Sequence, residues 1–232
     1  MRLNKYLSKS GIASRRESDN LIQMGTTEVN GLLCLDPAYQ VKESDVVSYD
    51  GKKIKPEINK IVLMLHKPPK IITTVKDTHG RKTVLDIIEA SSRVVPIGRL
   101  DKDTTGLLLF TNDGALAKEL THPKHEVSKI YNVSLNKSVS QRDMEAIKSG
   151  VKLEDGLIKT DDIRYTDNSH NTVQLTIHSG KNRIIRRLFS FFNYDVKKLD
   201  RVGYSFLNKN NLKQGKWRIL TVKEVTELKK NH

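Results

Sequence analysis

The segment Ile97–Gly114 constrains this chain more than any other. Its second half, Thr104-Thr105-Gly106-Leu107-Leu108-Leu109-Phe110-Thr111, is a continuous apolar run. A run of this length between turn residues reads as a buried strand, and the same pattern also fits a buried helix segment. Asn112-Asp113-Gly114 closes it with turn chemistry. Ahead of it stands a short polar loop, Gly98-Arg99-Leu100-Asp101-Lys102-Asp103. Arg99, Asp101 and Asp103 therefore hang from the lip of a rigid core element, where a catalytic group can be held in place. Two carboxylates in a loop are also ordinary turn chemistry. Spacing alone does not choose between Asp101 and Asp103.

Charge narrows the partner. The 232 residues carry 41 Lys and Arg against 27 Asp and Glu, a formal net charge of +14. Such an excess attracts polyanions, either nucleic acid or an anionic membrane surface. No long basic amphipathic helix stands free of the folded pattern, which disfavours the membrane. No apolar segment is long enough to cross a bilayer. Met1-Arg2-Leu3-Asn4-Lys5-Tyr6 lacks the apolar stretch of a signal peptide. The lone cysteine, Cys34, excludes an internal disulfide and a cysteine-based metal cluster, and reads as a small apolar residue in a strand. There is no P-loop and no dinucleotide fingerprint. A cytoplasmic protein without a metal is expected, and a monomer, because nothing suggests an extra apolar interface.

Residues 1–58 read as a small α/β module. Leu3 and Leu7 lie one helical turn apart, and Gly11 can end that helix. Ser14-Arg15-Arg16-Glu17 fits a capping box that opens a second helix, carrying Leu21 and Ile22 and stopping near Gly25. Asn30-Gly31 and Asp50-Gly51 are hairpin dipeptides, and Val41, Val46 and Val47 alternate toward a small sheet. Arg15 and Arg16 sit where the helix dipole disfavours cations. A phosphate bound there would reverse the sign. The charged, Pro-containing stretch 52–59 reads as a hinge.

Residues 59–232 read as a second, larger domain. Ile61–Leu65 is a strand candidate ending at His66-Lys67-Pro68-Pro69, and Thr83–Ile88 and Ala115–Leu120 read as helices. Lys129–Leu135 alternates as a strand does, with Tyr131 inside it. Gln174–Ile177 and Val196–Val202 are further strands. After Gly180-Lys181-Asn182, a helix carries Ile184, Ile185, Leu188, Phe189 and Phe192 on one face, with Arg183, Arg186 and Arg187 on the opposite arc. Trp217 reads as a core anchor, and Thr221 with Glu224 as a capping box for a last helix.

Gly98-Arg99-Leu100-Asp101, with Thr104/Thr105-Gly106-Leu107-Leu108 and Thr111-Asn112-Asp113-Gly114, resembles the signature of RNA pseudouridine synthases. It is similar in particular to the ribosomal RNA family with an N-terminal S4 domain. Arg2–Leu7, Ser14–Glu17 and Gly25 through Val29-Asn30-Gly31 resemble that S4 RNA-binding module. The resemblance implies an α+β protein, an S4-type module followed by a catalytic domain with a mainly antiparallel sheet flanked by helices. It implies Asp101 as the catalytic residue and no cofactor. Lys129-x-Tyr131 matches a motif whose Tyr stacks against the target base and can help move the C5 proton. Gly180–Arg187 matches a run that implies pairing of Arg186 with Asp101 and places Arg183 and Arg187 toward RNA. Leu199 is then a wall of the site. On the same resemblance, Arg99 is expected to hold the backbone or fill the gap the base leaves. The resemblance implies RNA binding by Arg2, Lys5, Arg15 and Arg16. Departures from the pattern are Thr26, His66, Lys70, Ser179 and Ile184. The implied partner is structured ribosomal RNA or a ribosomal subunit precursor. Ser-Arg-Arg-Glu and the Arg186-Arg187 pair point to 23S rRNA, with 16S rRNA as the alternative. The rivals are a non-catalytic S4-type assembly protein, and a hydrolase using Asp101 and Asp103 that would release free uracil.

Overall fold

The computed structural model describes residues 1–230. Its backbone divides into two units, one of residues Met1–Lys60 with Ala90–Arg93, the other of Ile61–Glu89 with Val94 onward.

In the first unit, α1 (Leu3–Lys9) and α2 (Arg15–Gln23) precede β1 (Thr27–Val29), β2 (Leu32–Leu33), β3 (Val47–Tyr49) and β4 (Lys52–Lys53). The strands form an antiparallel sheet in the order β2-β1-β3-β4. Leu3 and Leu7, one turn apart, meet Ile22, Val29, Val41 and Val47 in the core. Ser14 caps α2 by accepting from Glu17 N at 3.2 Å, satisfying one of the free first-turn donors. The stretch expected to be a hinge is instead bonded into this unit. Lys52–Lys53 pairs with β3, Tyr6 Oη donates to Ile54 O at 3.1 Å, and Glu57 N donates to Lys9 O at 2.8 Å. Its lysines are the charges that blunt an edge strand, not the mark of a loose linker. Cys34 follows β2 rather than lying within it.

The second unit comprises β5 (Val62–Lys67), β6 (Val95–Ile97), β7 (Thr105–Thr111), α3 (Gly114–Thr121), β8 (Lys129–Leu135), α4 (Gln141–Ser149), β9 (Val151–Leu153), β10 (Gly156–Ile158), β11 (Asp162–Tyr165), β12 (Thr172–Ile177), α5 (Ile184–Phe191), β13 (Val196–Tyr204), β14 (Leu207–Asn208), β15 (Trp217–Ile219) and α6 (Val222–Lys230). Seven strands run in the order β11-β12-β8-β13-β7-β5-β15, with β14 on β13 and β6 on β7. Among the described residues, every strand pairing in this sheet is antiparallel except β13 with β7. The apolar run is therefore an inner strand of the sheet, between β13 and β5. Leu107, Leu108, Leu109 and Phe110 are all fully buried, as a strand covered on both faces requires. Leu107 and Leu109 pack with Val62, Met64, Leu116 of α3 and Leu228 of α6. A second core joins Val133 and Leu175 to Ile185, Leu188 and Phe189 of α5 and to Met144 and Ile147 of α4.

Three local expectations change. The Thr83–Ile88 helix is a single 3-10 turn, Val84–Asp86, closed by a Thr83–Asp86 capping box. Trp217 is half-buried on the edge strand β15 rather than a core anchor. Arg183 precedes α5 in the left-handed region, at φ 46°, so it does not share the helical arc of Arg186. The Thr221–Glu224 box forms reciprocally, at 2.8 and 3.2 Å. Among the described residues no helix is long and apolar enough to cross a membrane.

Candidate active site

Asp101 lies on the loop between β6 and β7, at a cleft of about 340 Å³ lined by Asp101, Lys102, Asp103, Arg183, Arg186 and Lys197. The backbone on both sides of Asp101 is held. Upstream, Thr73 Oγ1 donates to Leu100 O at 2.8 Å and accepts from Leu100 N at 3.3 Å. Downstream, Thr104 N donates to Asp101 O at 3.1 Å. Beneath the loop, the ammonium of Lys67 donates to Pro68 O, Lys102 O and Thr104 O at 3.1, 3.0 and 2.9 Å. Lys67 is wholly buried at the end of β5, directly opposite Gly106 of β7. Burial pushes its ammonium down to about 8, against the opposing pull of Asp103 and Asp101.

Lys67→Met should slow catalysis. It leaves three carbonyls without their shared donor, at about 1–3 kcal/mol each where they stay buried. Removal of a buried ammonium offsets part of that. The melting temperature therefore falls modestly. The loop loses its support, and a displacement of order 1 Å at a reacting group lowers the rate by about 10²-fold. Single-turnover rates beside a thermal melt check this; an unchanged rate would remove Lys67 from the account.

The guanidinium nearest Asp101 is not the expected one. Arg183 Nη1 lies 3.3 Å from Asp101 Oδ2. Arg186 instead donates through Nη1 to Val196 O at 2.9 Å. Its Nε is buried without a partner among the described residues. The difference follows from the backbone. Arg183 stands outside α5 and reaches across to the loop, whereas Arg186 is inside the helix and tethered to the start of β13. Arg187 is tied elsewhere. It donates to Asp155 Oδ2 at 2.8 Å and to Asn182 O at 3.1 Å, and its guanidinium holds the Asp155 carboxyl below the usual range.

Tyr131 is half-buried and packs against the cluster that contains Leu199. Arg99 is exposed, and so are Arg2, Lys5, Arg15 and Arg16 of the first unit. The structure thus gathers Asp101, Arg183 and Arg186 at one cleft. It sets Tyr131 and Leu199 in the adjoining core, and it engages Arg187 with Asp155.

His66 has a structural setting. Its Nδ1 faces Leu212 O at 2.8 Å, and its Nε2 lies 3.1 Å from Lys209 Nζ. That pattern fits the tautomer with the proton on Nδ1. Lys209 also pairs with Asp200, whose other oxygen accepts from Thr105 Oγ1 at 2.8 Å.

Two further cations, Arg201 buried and Lys129 half-buried, give no local signal in the sequence. Arg201, opposite Tyr131 across β8 and β13, donates through Nε to Leu107 O at 2.7 Å and lies 5.3 Å from the Tyr204 ring. Lys129 donates to Val127 O and His178 O at 2.7 and 2.8 Å. Burial first, and then the Arg201 charge, push its ammonium down to about 8. Carbonyls and an aromatic face take the place of carboxylates here. Arg201 thereby fastens β13 to β7 just beyond the Asp101 loop.

Known proteins are similar to this chain in sequence and fold. The family of RNA pseudouridylate synthases matches residues 61–191, and the S4 domain family matches residues 1–47. The ribosomal large subunit pseudouridine synthase B of Bacillus subtilis is 38% identical, over 98% of this chain and 95% of that protein. The dual-specificity RNA pseudouridine synthase RluF of Escherichia coli is 36% identical, over 98% of this chain and 78% of its own. A crystal structure of a pseudouridylate synthase superposes with a TM-score of 0.70 at 25% identity, covering 98% of this chain and 99% of that one. This basic chain, with an aspartate held at a cationic cleft beside a central sheet, belongs to the RNA pseudouridine synthases and carries an S4 domain ahead of the catalytic fold.

Proposed function

We propose that the protein isomerises uridine in ribosomal RNA, specifically 23S rRNA, with Asp101 as the catalytic carboxylate. The observation that carries this reading is the braced loop. Thr73 and Lys67 hold the backbone on either side of Asp101 at a cleft with Arg183, Arg186, Lys102 and Lys197 around it. The large-subunit assignment rests on the name of the Bacillus subtilis relative. We place the reaction in the cytoplasm, on free rRNA or a subunit precursor, with the protein acting as a monomer. The first domain is taken as 1–58 and the catalytic domain as 59–232.

The reaction breaks the N1–C1′ bond of uridine, turns the base, and joins C5 to C1′, with the C5 proton passing to solvent and N1 taking up a proton in its place. Substrate and product are isomers. Asp101 either attacks C1′ or removes the 2′ proton as uracil departs. The uridine must leave its stack, at a few kcal/mol. Cations at the cleft mouth offset that through phosphate contacts. Tyr131 and Leu199 form the wall against which the detached uracil turns, and Arg186 steadies the carboxylate. Arg183, Arg187 and Arg99 contact the RNA near the target. On the S4 domain, Arg2, Lys5, Arg15 and Arg16 are all exposed, and a phosphate at the start of α2 would satisfy its free N–H groups together with both arginines.

The test is a 23S rRNA transcript labelled with tritium at uridine C5. The expected result is tritium release equal to the pseudouridine formed, without free uracil. Free uracil as product would show a hydrolase, and no release would count against this substrate.

A further inference from the structure

We propose that Arg183 is an exchangeable cover for Asp101. It holds the carboxylate in the free protein and leaves it for an RNA phosphate on binding, handing Asp101 to Arg186. This rests on the reading of Asp101 as the reacting carboxylate and adds a step that precedes the chemistry.

Two guanidinium groups, Arg183 and Arg186, share one cleft with Asp101, and their environments differ. The Arg183–Asp101 pair is open to water, with side chains 52% and 37% exposed and a separation of 3.3 Å. Exposed pairs of this kind shift an equilibrium by a factor of only about 1.5 to 5. A phosphate can therefore displace the carboxylate with little resistance. Arg183 also precedes α5 and its side chain makes no cap on that helix, so no capping bond opposes its release. Arg186 has the opposite character. It is anchored to Val196 O, yet its Nε is buried without a partner among the described residues. A buried N–H donor without an acceptor is unfavourable, so Arg186 gains by taking up the carboxylate once Arg183 departs. In the free state Asp101 is screened by an arginine it does not need for chemistry. In the bound state the same arginine holds the RNA and Asp101 faces the sugar.

The exchange makes a signed claim about binding. If Arg183 must leave Asp101 to reach RNA, then Asp101→Asn frees it in advance, and RNA binds about 2- to 5-fold tighter than to wild type. In the Arg183→Gln background that gain falls below about 1.5-fold. Arg183→Gln alone weakens binding and lowers the slope of log affinity against log salt by about 0.7 to 0.9, one phosphate contact. A static pair that never touches RNA gives the reverse. Arg183→Gln would then bare the carboxylate toward the RNA, so Asp101→Asn would help most in that background and the loss of a phosphate contact would not appear.

Dissociation constants for the four proteins on an unmodified 23S rRNA transcript, at two or more salt concentrations, decide between them. An Asp101→Asn gain that is equal or larger in the Arg183→Gln background, or an unchanged salt slope in Arg183→Gln, overturns the exchange. Both positions are on the surface, and circular dichroism confirms that each variant is folded. Pseudouridine formed by wild type on the same transcript is scored in parallel. Its absence counts against the functional reading alone, and the binding cycle still decides the exchange.

Discussion

Asp101→Asn is expected to lower kcat/KM by on the order of 10⁴-fold, the scale at which loss of a nucleophile or its orienting partner acts in other enzymes. The melting temperature should move by no more than about 2 °C, since a surface substitution of this kind changes stability by about 0.5 kcal/mol or less. The separation is the informative part. Asp101 is 37% exposed at its side chain and its ion pair with Arg183 is open to water, so the carboxylate contributes little to folding. The supports of the loop are backbone groups at Leu100, Lys102 and Thr104, which the substitution leaves intact. The amide neither attacks C1′ nor takes a proton. Asp103, exposed two residues on, provides the contrast. Asp103→Asn should keep activity within about 10-fold. Equal losses at the two positions would favour a two-carboxylate mechanism, and an active Asp101→Asn would move the chemistry elsewhere.

Gly106→Ala should have its large effect on the fold. Gly106 has φ +110°, and a Cβ there would lie 2.2 Å from Arg201 O and 2.6 Å from Arg201 N. The obstructing atoms are backbone and cannot rotate away. They belong to the parallel junction of the sheet, where Thr105 and Gly106 pair with Asp200 and Arg201. A methyl group here must push β7 from β13. Overpacking costs about 1–3 kcal/mol, and a forced positive φ about 1–3 kcal/mol more. Together they take a large part of the roughly 5–15 kcal/mol that holds a domain. The expected result is a melting temperature lower by roughly 10 °C or more, or no soluble protein. Gly114→Ala is the control. Gly114 opens α3, and a Cβ there meets nothing within 4 Å, so that variant should be neutral or slightly stabilised. A Gly106→Ala protein with wild-type stability would mean that the two strands do not approach this closely.

These effects also show what is legible in the chain. The strand at Leu107–Phe110 and its polar loop are visible through local composition, an apolar run between turn residues. Helix starts at Ser14 and Thr221 are legible for the same reason, because a cap is a contact over three residues. Lys67 is not legible. A lysine at the end of a strand reads as a solvated charge, and it is buried here only because Lys102 and Thr104, 35 and 37 residues away, turn their carbonyls toward it. Arg201 and Lys129 are hidden likewise, since their partners are carbonyls and a ring rather than carboxylates. Helical spacing places the arginines of the Gly180–Arg187 run on one arc. Spacing cannot report that Arg183 takes a left-handed backbone and leaves the helix. Similarly, 52–59 has the composition of a linker, and only its pairing with β3 and α1 shows otherwise.

That Asp101 isomerises a uridine of ribosomal RNA is tested most directly by position-resolved pseudouridine mapping. Carbodiimide labelling and primer extension would be run on rRNA from a deletion strain carrying wild type, Asp101→Asn or Asp103→Asn. The expected result is a large-subunit position lost on deletion, restored by wild type and Asp103→Asn, and absent with Asp101→Asn. Persistence of every rRNA pseudouridine in the deletion strain, or restoration of the lost position by Asp101→Asn, would contradict it.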